Sequence, residues 1–308
     1  MSRYVQKLID QIRRETENES VAEGIGIQDE EFIQYINDAQ FHLQGMITSK
    51  HSKIFLSEEL YSISSGSTAF ILPDNIYLDN KIHHVEFSST GNDDDYYTLN
   101  EVSFKRRSQA EGSPNGYVRY SGKIELTPKT STNGYLRIIY TERLPNVELR
   151  RGFIHLTTQV GTNLTKLTSL VSDKYYDLQL FENNDYISIV DSNGNLKAKK
   201  VKIESYNTTN GDIVVDHTLE AGVTISQGDY IVGGPFSTSH SQLPESVERY
   251  LIAYCSWKIL RRDSSVDSTE MMQELQVMGQ EIVASYALMS DDLQYIPLLT
   301  DWVDWSTE

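Results

Sequence analysis

Cysteine is almost missing from this chain: Cys255 is the single one in 308 residues. No intrachain disulfide can form, so burial and hydrogen bonding alone must hold the fold, and a reducing compartment of synthesis fits. Long hydrophobic runs are missing too. Nothing approaches the ~18 consecutive apolar residues of a membrane-spanning helix. The opening MSRYVQKLIDQIRRE has charges at helical spacing and no uninterrupted apolar stretch, which is unlike a secretory leader. The sequons at Asn163 and Asn207 therefore carry little weight. Positive charge is scarce: 27 Lys and Arg face 44 Asp and Glu, a net charge of −17. That balance disfavours a sequence-independent grip on nucleic acid, which needs cations to displace counterions. An acidic wall repels phosphates, however, and would keep a passing polyanion moving.

Catalytic signatures are also lacking. There is no GxxxxGK[ST] phosphate loop, no GxSxG elbow and no HExxH helix. Seven histidines are scattered, and the one close pair, His83-His84, points to opposite faces if it lies on a strand, so it cannot chelate one metal. Asp93-Asp94-Asp95 lacks the alternating spacing of a calcium loop and reads as a solvated turn. Cys255 sits on the flank of a helical pattern rich in Tyr and Trp, where an inert buried thiol is expected. No catalytic residue, metal ligand or cofactor is therefore assigned, and the chain is not expected to be an enzyme. The nineteen tyrosines are spread through helical and strand patterns alike and read as core and interface material.

What the sequence does hold is a division of patterns. Tyr4, Val5, Leu8, Ile9 and Ile12 mark a first amphipathic helix, with Ser2 as cap. Asp29–Ile47 forms a second, with Phe32, Ile36, Ala39, Leu43, Met46 and Ile47 on one face and Asp29, Glu30 and Glu31 in the first turn, where they complement the dipole. Residues 51–79 read as irregular and extended. From Lys81 the chain turns to short strands: Ile82–Phe87, Tyr97–Phe104, Tyr117–Tyr120, Lys123–Leu126 and Tyr135–Thr141, with Ser121-Gly122 as a two-residue hairpin. After Pro145, RGFIHL, YYDLQLF, DYISIVD, AKKVKIESY, GDIVVD and GDYIVGG follow at near-regular spacing, separated by Asn/Gly-rich turns, a pattern that suits a small barrel or sandwich.

Helices return at Leu243, with Pro244 at the first helical position and Val247, Leu251 and Tyr254 on the apolar face. A last helix opens on an Asp267/Glu270 capping box and carries Met271, Leu275, Met278, Ile282, Tyr286 and Met289. The expectation is an α+β chain. Its helical bundle, built from both ends, is interrupted by a β-rich insertion of two small antiparallel blocks. The expected parts are 1–80 (N-terminal helices and extended segment), 81–146 (first β insertion), 147–236 (second β block), 237–290 (C-terminal helices) and 291–308 (C-terminal arm). Phe32, Ile36, Leu43, Leu251, Tyr254, Leu275, Met278 and Ile282 are the bundle-wall candidates. The arm carries Tyr295, Ile296, Leu298, Leu299, Trp302, Val303 and Trp305 among aspartates, too apolar for a solvated tail. Either it folds back on the chain's own helices or it docks on another protein.

This order of parts resembles the phage head–tail adaptor proteins, also called connector or head-completion proteins. The matching stretches are LIDQIRRET…DEEFIQYINDAQFHL, GYVRYSGKIELTP…GYLRIIYTERLP and LPESVERYLIAYCSWKIL…EMMQELQVMGQEIVASYA, about half the chain. The second β block goes beyond the minimal family pattern. The resemblance implies a structural virion protein, made in the host cytoplasm and placed at the head–tail interface. It implies a homo-oligomeric ring, commonly twelve-fold, beneath the portal protein and above tail or nozzle proteins. DNA would pass through its lumen without specific binding, and no membrane is involved. It implies that the helices build the ring wall and that the arm, Ile296–Trp305 above all, docks on the portal. A heterologous interface must then close, so each copy offers two different faces. A different class, a receptor- or glycan-binding tail protein using the β region, calls for aromatic clusters on one exposed β face. A glycoside hydrolase would need two carboxylates facing each other in a cleft.

Overall fold

The computed structural model describes residues 4–16, 27–51, 53–67, 69–79, 81–106, 110–169, 181–207, 209–262 and 269–290. The chain divides into two compact units, one of Met1–Gly45 with Pro145–Ala284 and the other of Met46–Leu144 with Ser285–Glu308.

In the second unit the chain forms ten strands: β1 (Leu56–Ile63), β2 (Ala69–Ile71), β3 (Ile82–Ser88), β4 (Tyr97–Thr98), β5 (Asn100–Glu101), β6 (Glu111–Gly112), β7 (Gly116–Tyr120), β8 (Lys123–Thr127), β9 (Lys129–Thr130) and β10 (Gly134–Thr141). Two four-stranded sheets result, ordered β1-β10-β3-β4 and β2-β8-β7-β5, with β6 and β9 as a small extra pair. Alternation is clearest in β10, where Leu136, Ile138 and Tyr140 point inward and Arg137 outward. Those inward residues join Val85, Phe87, Ile124 and Leu126 in one core. On the outer face Arg137 bridges Glu86 and Asp93 and lies over the Tyr96 ring, a charge network that is half-covered at Arg137 and Glu86 and open to solvent at Asp93. Ser121 and Gly122 both take left-handed φ, 46° and 71°, the primed turn whose twist matches a two-residue hairpin.

The described residues of the first unit form eight strands: β11 (Asn146–Val147), β12 (Arg150–Val160), β13 (Asn163–Ser169), β14 (Tyr186–Val190), β15 (Leu196–Asn207), β16 (Asp212–Thr218), β17 (Tyr230–Gly233) and β18 (Ser237–Thr238). Six close into a barrel in the order β12-β13-β16-β15-β14-β17, every pair antiparallel. Its interior is filled by Ile154, Leu167, Ile187, Ile189, Val201, Ile203, Ile213 and Ile231, all fully buried. Closure removes the exposed edges that an open sheet would present.

The described residues also form four helices: α1 (Val5–Glu15), α2 (Asp29–Lys50), α3 (Glu248–Leu260) and α4 (Thr269–Ser290). Val5, Leu8, Ile9 and Ile12 of α1, Phe32, Ile33 and Ile36 of α2, and Ile252, Cys255 and Ile259 of α3 share one core with Val147. Each such buried side chain contributes about 2 kcal/mol. The layer is fastened to β11 by polar groups. Parallel pairing with β18 uses the amides of Asn146 and Glu148, leaving those of Val147 pointing the other way. There the Asn37 side chain acts as a surrogate strand: its Nδ2 donates to Val147 O at 3.0 Å and its Oδ1 accepts from Val147 N at 2.7 Å. Gln40 does likewise, donating to Pro145 O at 2.8 Å and accepting from Ser241 Oγ at 3.1 Å.

This architecture overturns the expected fold class. Among the described residues about 40% lie in strands against 30% in helices, with four helices and a closed six-stranded barrel, not a helical bundle carrying a small β insertion. The physical reason lies in the cores. The barrel and the paired sheets each bury a hydrophobic cluster as extensive as that of the helices, so neither is an appendage. Smaller corrections follow. Residues 51–79, expected to be irregular and extended, supply the regular strands β1 and β2. The expected strand Tyr97–Phe104 breaks into β4, β5 and a 3-10 turn at Phe104–Arg106. Pro244 caps a 3-10 turn, Glu245–Val247, that precedes α3. The proposed cap Ser2, the residue Asp267, nearly all of YYDLQLF and the arm lie outside the described residues.

Candidate functional site

The bundle-wall candidates divide into two groups. Phe32, Ile36, Leu43 and Leu251 are fully buried and Leu275 nearly so, whereas Tyr254, Met278 and Ile282 are half-buried. Tyr295, Ile296, Leu298, Leu299, Trp302, Val303 and Trp305 lie outside the described residues. Among the described residues no three His, Cys, Asp or Glu side chains converge as a metal site, and no helix is long and apolar enough to cross a membrane. His83 shares a hydrogen bond with Thr141 Oγ1 at 2.8 Å while His84 is exposed. Cys255 is fully buried, and burial pushes its thiol up, away from nucleophilic thiolate chemistry.

The chemistry that does converge lies along α2 and α3. The first turn of α2 carries Asp29, Glu30 and Glu31, and an arginine from a different element meets each. Arg13 of α1 reaches Asp29 at 2.6 Å, Arg151 of β12 reaches Glu30 at 3.8 Å, and Arg262, just past α3, pairs with Glu31. Tyr35 donates to Glu31 at 2.7 Å, and burial together with that carboxylate holds its hydroxyl above the usual range.

Along α3 an aromatic ladder runs towards the same end. His42 shares a 2.7 Å hydrogen bond with Tyr250, whose hydroxyl burial pushes up to about 12. His42 also packs on Tyr254, and Tyr254 packs on Trp257. Spacings of four and three residues place Tyr250, Tyr254 and Trp257 on one helix face. Arg261 then lies 5.4 Å over Trp257 and Lys258 5.6 Å over Tyr254. Glu31, Tyr35, Lys258, Arg261 and Arg262 line a shallow depression of ≈350 Å³. Lys258 also approaches Asp38 at 3.9 Å, so three cations meet two carboxylates and Arg261 carries the local excess of positive charge on a chain whose net charge is −17.

Helix α4 is the other unusual surface. Of its residues 269–286 only Leu275 and Gly279 are buried; Met271, Met278, Ile282 and Val283 are half-covered, while Met272 and Val277 stay 40% and 55% exposed. By contrast α3 buries seven residues over thirteen. Sequence reasoning identified the stripe of α4 and placed Tyr254 on the apolar face of α3, but it did not single out the cations that gather beside that face. The signal available was Lys258-x-x-Arg261-Arg262 interleaved with Tyr254 and Trp257. No protein-family model and no curated protein matches this chain.

Proposed function

We propose that this chain is a structural adaptor of a phage virion. In this reading it is a ring-forming protein beneath the portal that extends the DNA channel towards tail or nozzle proteins, without catalysis. The observation that supports it best is α4, a 22-residue helix whose apolar stripe is left half-uncovered within one chain. Large apolar groups left open on a helix are what an assembling protein presents to its neighbours. The acid excess suits a lumen through which a polyanion must slide, and the ordered sequence stretches add the family resemblance. The arm beyond Ser290 is the portal-docking element of this reading. The exposed aromatic residues Tyr97, Phe104 and Tyr135 lie on strands and a 3-10 turn of one unit and Tyr186 on a strand of the other. The test is negative-stain imaging of the purified protein alone and mixed with portal rings. A collar of density on the portal, absent after truncation at Ser290, is the expected result; no added density with the full chain refutes the reading.

A further inference from the structure

Helix α4 carries Glu270, Glu274 and Glu281 and no Lys, Arg or His. At 3.6 residues per turn these three acids fall within about 40° of one another around the helix, and Val277 falls beside them. All four are exposed, and half-buried Met278 borders them. The solvent side of α4 is therefore an acid row with an apolar margin. Glu274 approaches Arg249 of the same unit at 3.8 Å in an exposed pair. At the C-terminal end of α3, in the same unit, Lys258, Arg261 and Arg262 line the depression with Tyr35, and Arg261 lies over the Trp257 ring. The two surfaces are opposite in charge and both mix charge with apolar area. They also lie on different elements, so neither complements itself.

We infer that α4 of one copy seats on the α2–α3 depression of a second copy, with the acid row against Lys258 and Arg261 and with Val277 and Met278 against Tyr35 and Trp257. The inference rests on the ring-forming reading and gives it a contact. Three features favour a second copy as occupant. The charges complement each other, since the chain carries both the acidic, base-free helix and the cationic receptor. The receptor is built from Tyr, Trp and Arg, the residue types that dominate binding energy at interfaces. Finally, the two faces are distinct, so the contact is heterologous and repeats from copy to copy, as a ring or filament requires. Arg262 is held to Glu31 and Tyr35, which fixes one rim of the receptor before docking.

The test is sedimentation velocity of the full-length protein across a concentration series, with charge-reversed variants. Lys258→Glu with Arg261→Glu alters the receptor and leaves the Arg262–Glu31 pair in place, though it breaks the half-exposed Lys258–Asp38 pair, which Arg261→Glu alone keeps. Glu270→Lys with Glu281→Lys alters the helix and leaves Glu274 near Arg249. Each pair weakens self-association about tenfold, the equivalent of ~1.4 kcal/mol. All four changes in one chain restore it, because the attraction returns with its signs exchanged. Thermal melting monitors folding, and Arg261→Glu alone serves if the double receptor variant does not fold. Wild-type protein that stays monomeric at every concentration overturns the inference, as does a four-fold variant that fails to recover. Association weakened by the helix changes but indifferent to the receptor changes points to α4 pairing with α4 and also overturns it. Portal binding is read separately. Self-association that obeys the charge exchange in a protein that ignores portal supports this contact and refutes the adaptor reading.

Discussion

Asn37→Ala removes two hydrogen bonds and no core volume. Val147 is fully buried, and its N–H and C=O face away from β18, so the Asn37 amide is what satisfies both. Leaving a buried backbone donor or acceptor unpaired costs about 1–3 kcal/mol. Asn37 itself is half-buried, so water relieves part of that penalty. A total loss of about 2–4 kcal/mol follows. For a unit of this size that lowers the melting temperature by roughly 6–12 °C. Differential scanning calorimetry measures the shift, and amide exchange reports Val147 directly, since its protection depends on the Asn37 carbonyl. A shift below about 2 °C with the Val147 amide still protected would mean that the helical layer is not fastened to β11 in this way.

The remaining predictions concern three other places. Gly194 has φ +84° and a Cβ there would stand 2.3 Å from His240 Nδ1, so Gly194→Ala should cost about 2–4 kcal/mol, read by urea unfolding; an unchanged midpoint refutes the close approach. Burial, reinforced by Arg150, lowers the His240 pKa to about 4 against ~6.5 unfolded, so the unfolded chain takes up its proton first as pH falls. Stability from keeping this imidazole neutral is complete above pH ~6.5 and is lost by about pH 4, amounting to about 2–3 kcal/mol; His240→Asn should flatten that part of the pH–melting curve. Leu275→Asp places a carboxylate where the side chain is buried and should cost several kcal/mol, about 3, whereas a variant as stable as wild type by circular dichroism would make this face solvated.

How far the sequence announces this fold depends on where each core keeps its residues. The stripes of α1 and α2 are continuous in sequence, so periodicity alone places them; for α2 the expected end at Ile47 falls three residues short of the observed Lys50. The barrel core is shared among six strands, and no single one declares it. Strand β13 was not anticipated. A register shift between Leu164 and Lys166 puts its buried Leu164 and Leu167 three residues apart, a spacing foreign to a strand. Strand β1 hides for another reason. On its inward row Ser57 and Glu59 accompany Tyr61 and Ile63, so the alternation of apolar and polar residues that marks a strand is broken. The α2 side of the α3 depression is legible only in space, because Glu31 and Tyr35 meet Arg262 across more than 200 residues of chain.

A ring of such copies, as proposed, would face an electrostatic problem, and its solution would have a salt signature. Copies of net charge −17 repel one another over distances set by the Debye length, ~30 Å at 0.01 M salt and ~8 Å at physiological strength. Raising salt over that range removes most of the long-range repulsion but leaves ion pairs within ~4 Å largely intact, so self-association should strengthen. Further salt shortens screening to ~3 Å at 1 M and weakens those pairs in turn. An α4 contact with Lys258 and Arg261 therefore predicts an association constant that rises and then falls with ionic strength. A purely apolar contact between the Met and Val side chains of α4 would strengthen throughout, because added salt removes repulsion and opposes no attraction. Sedimentation equilibrium at several salt concentrations separates the two curves, and a monotonic rise to 1 M would remove the cations of α3 from the contact.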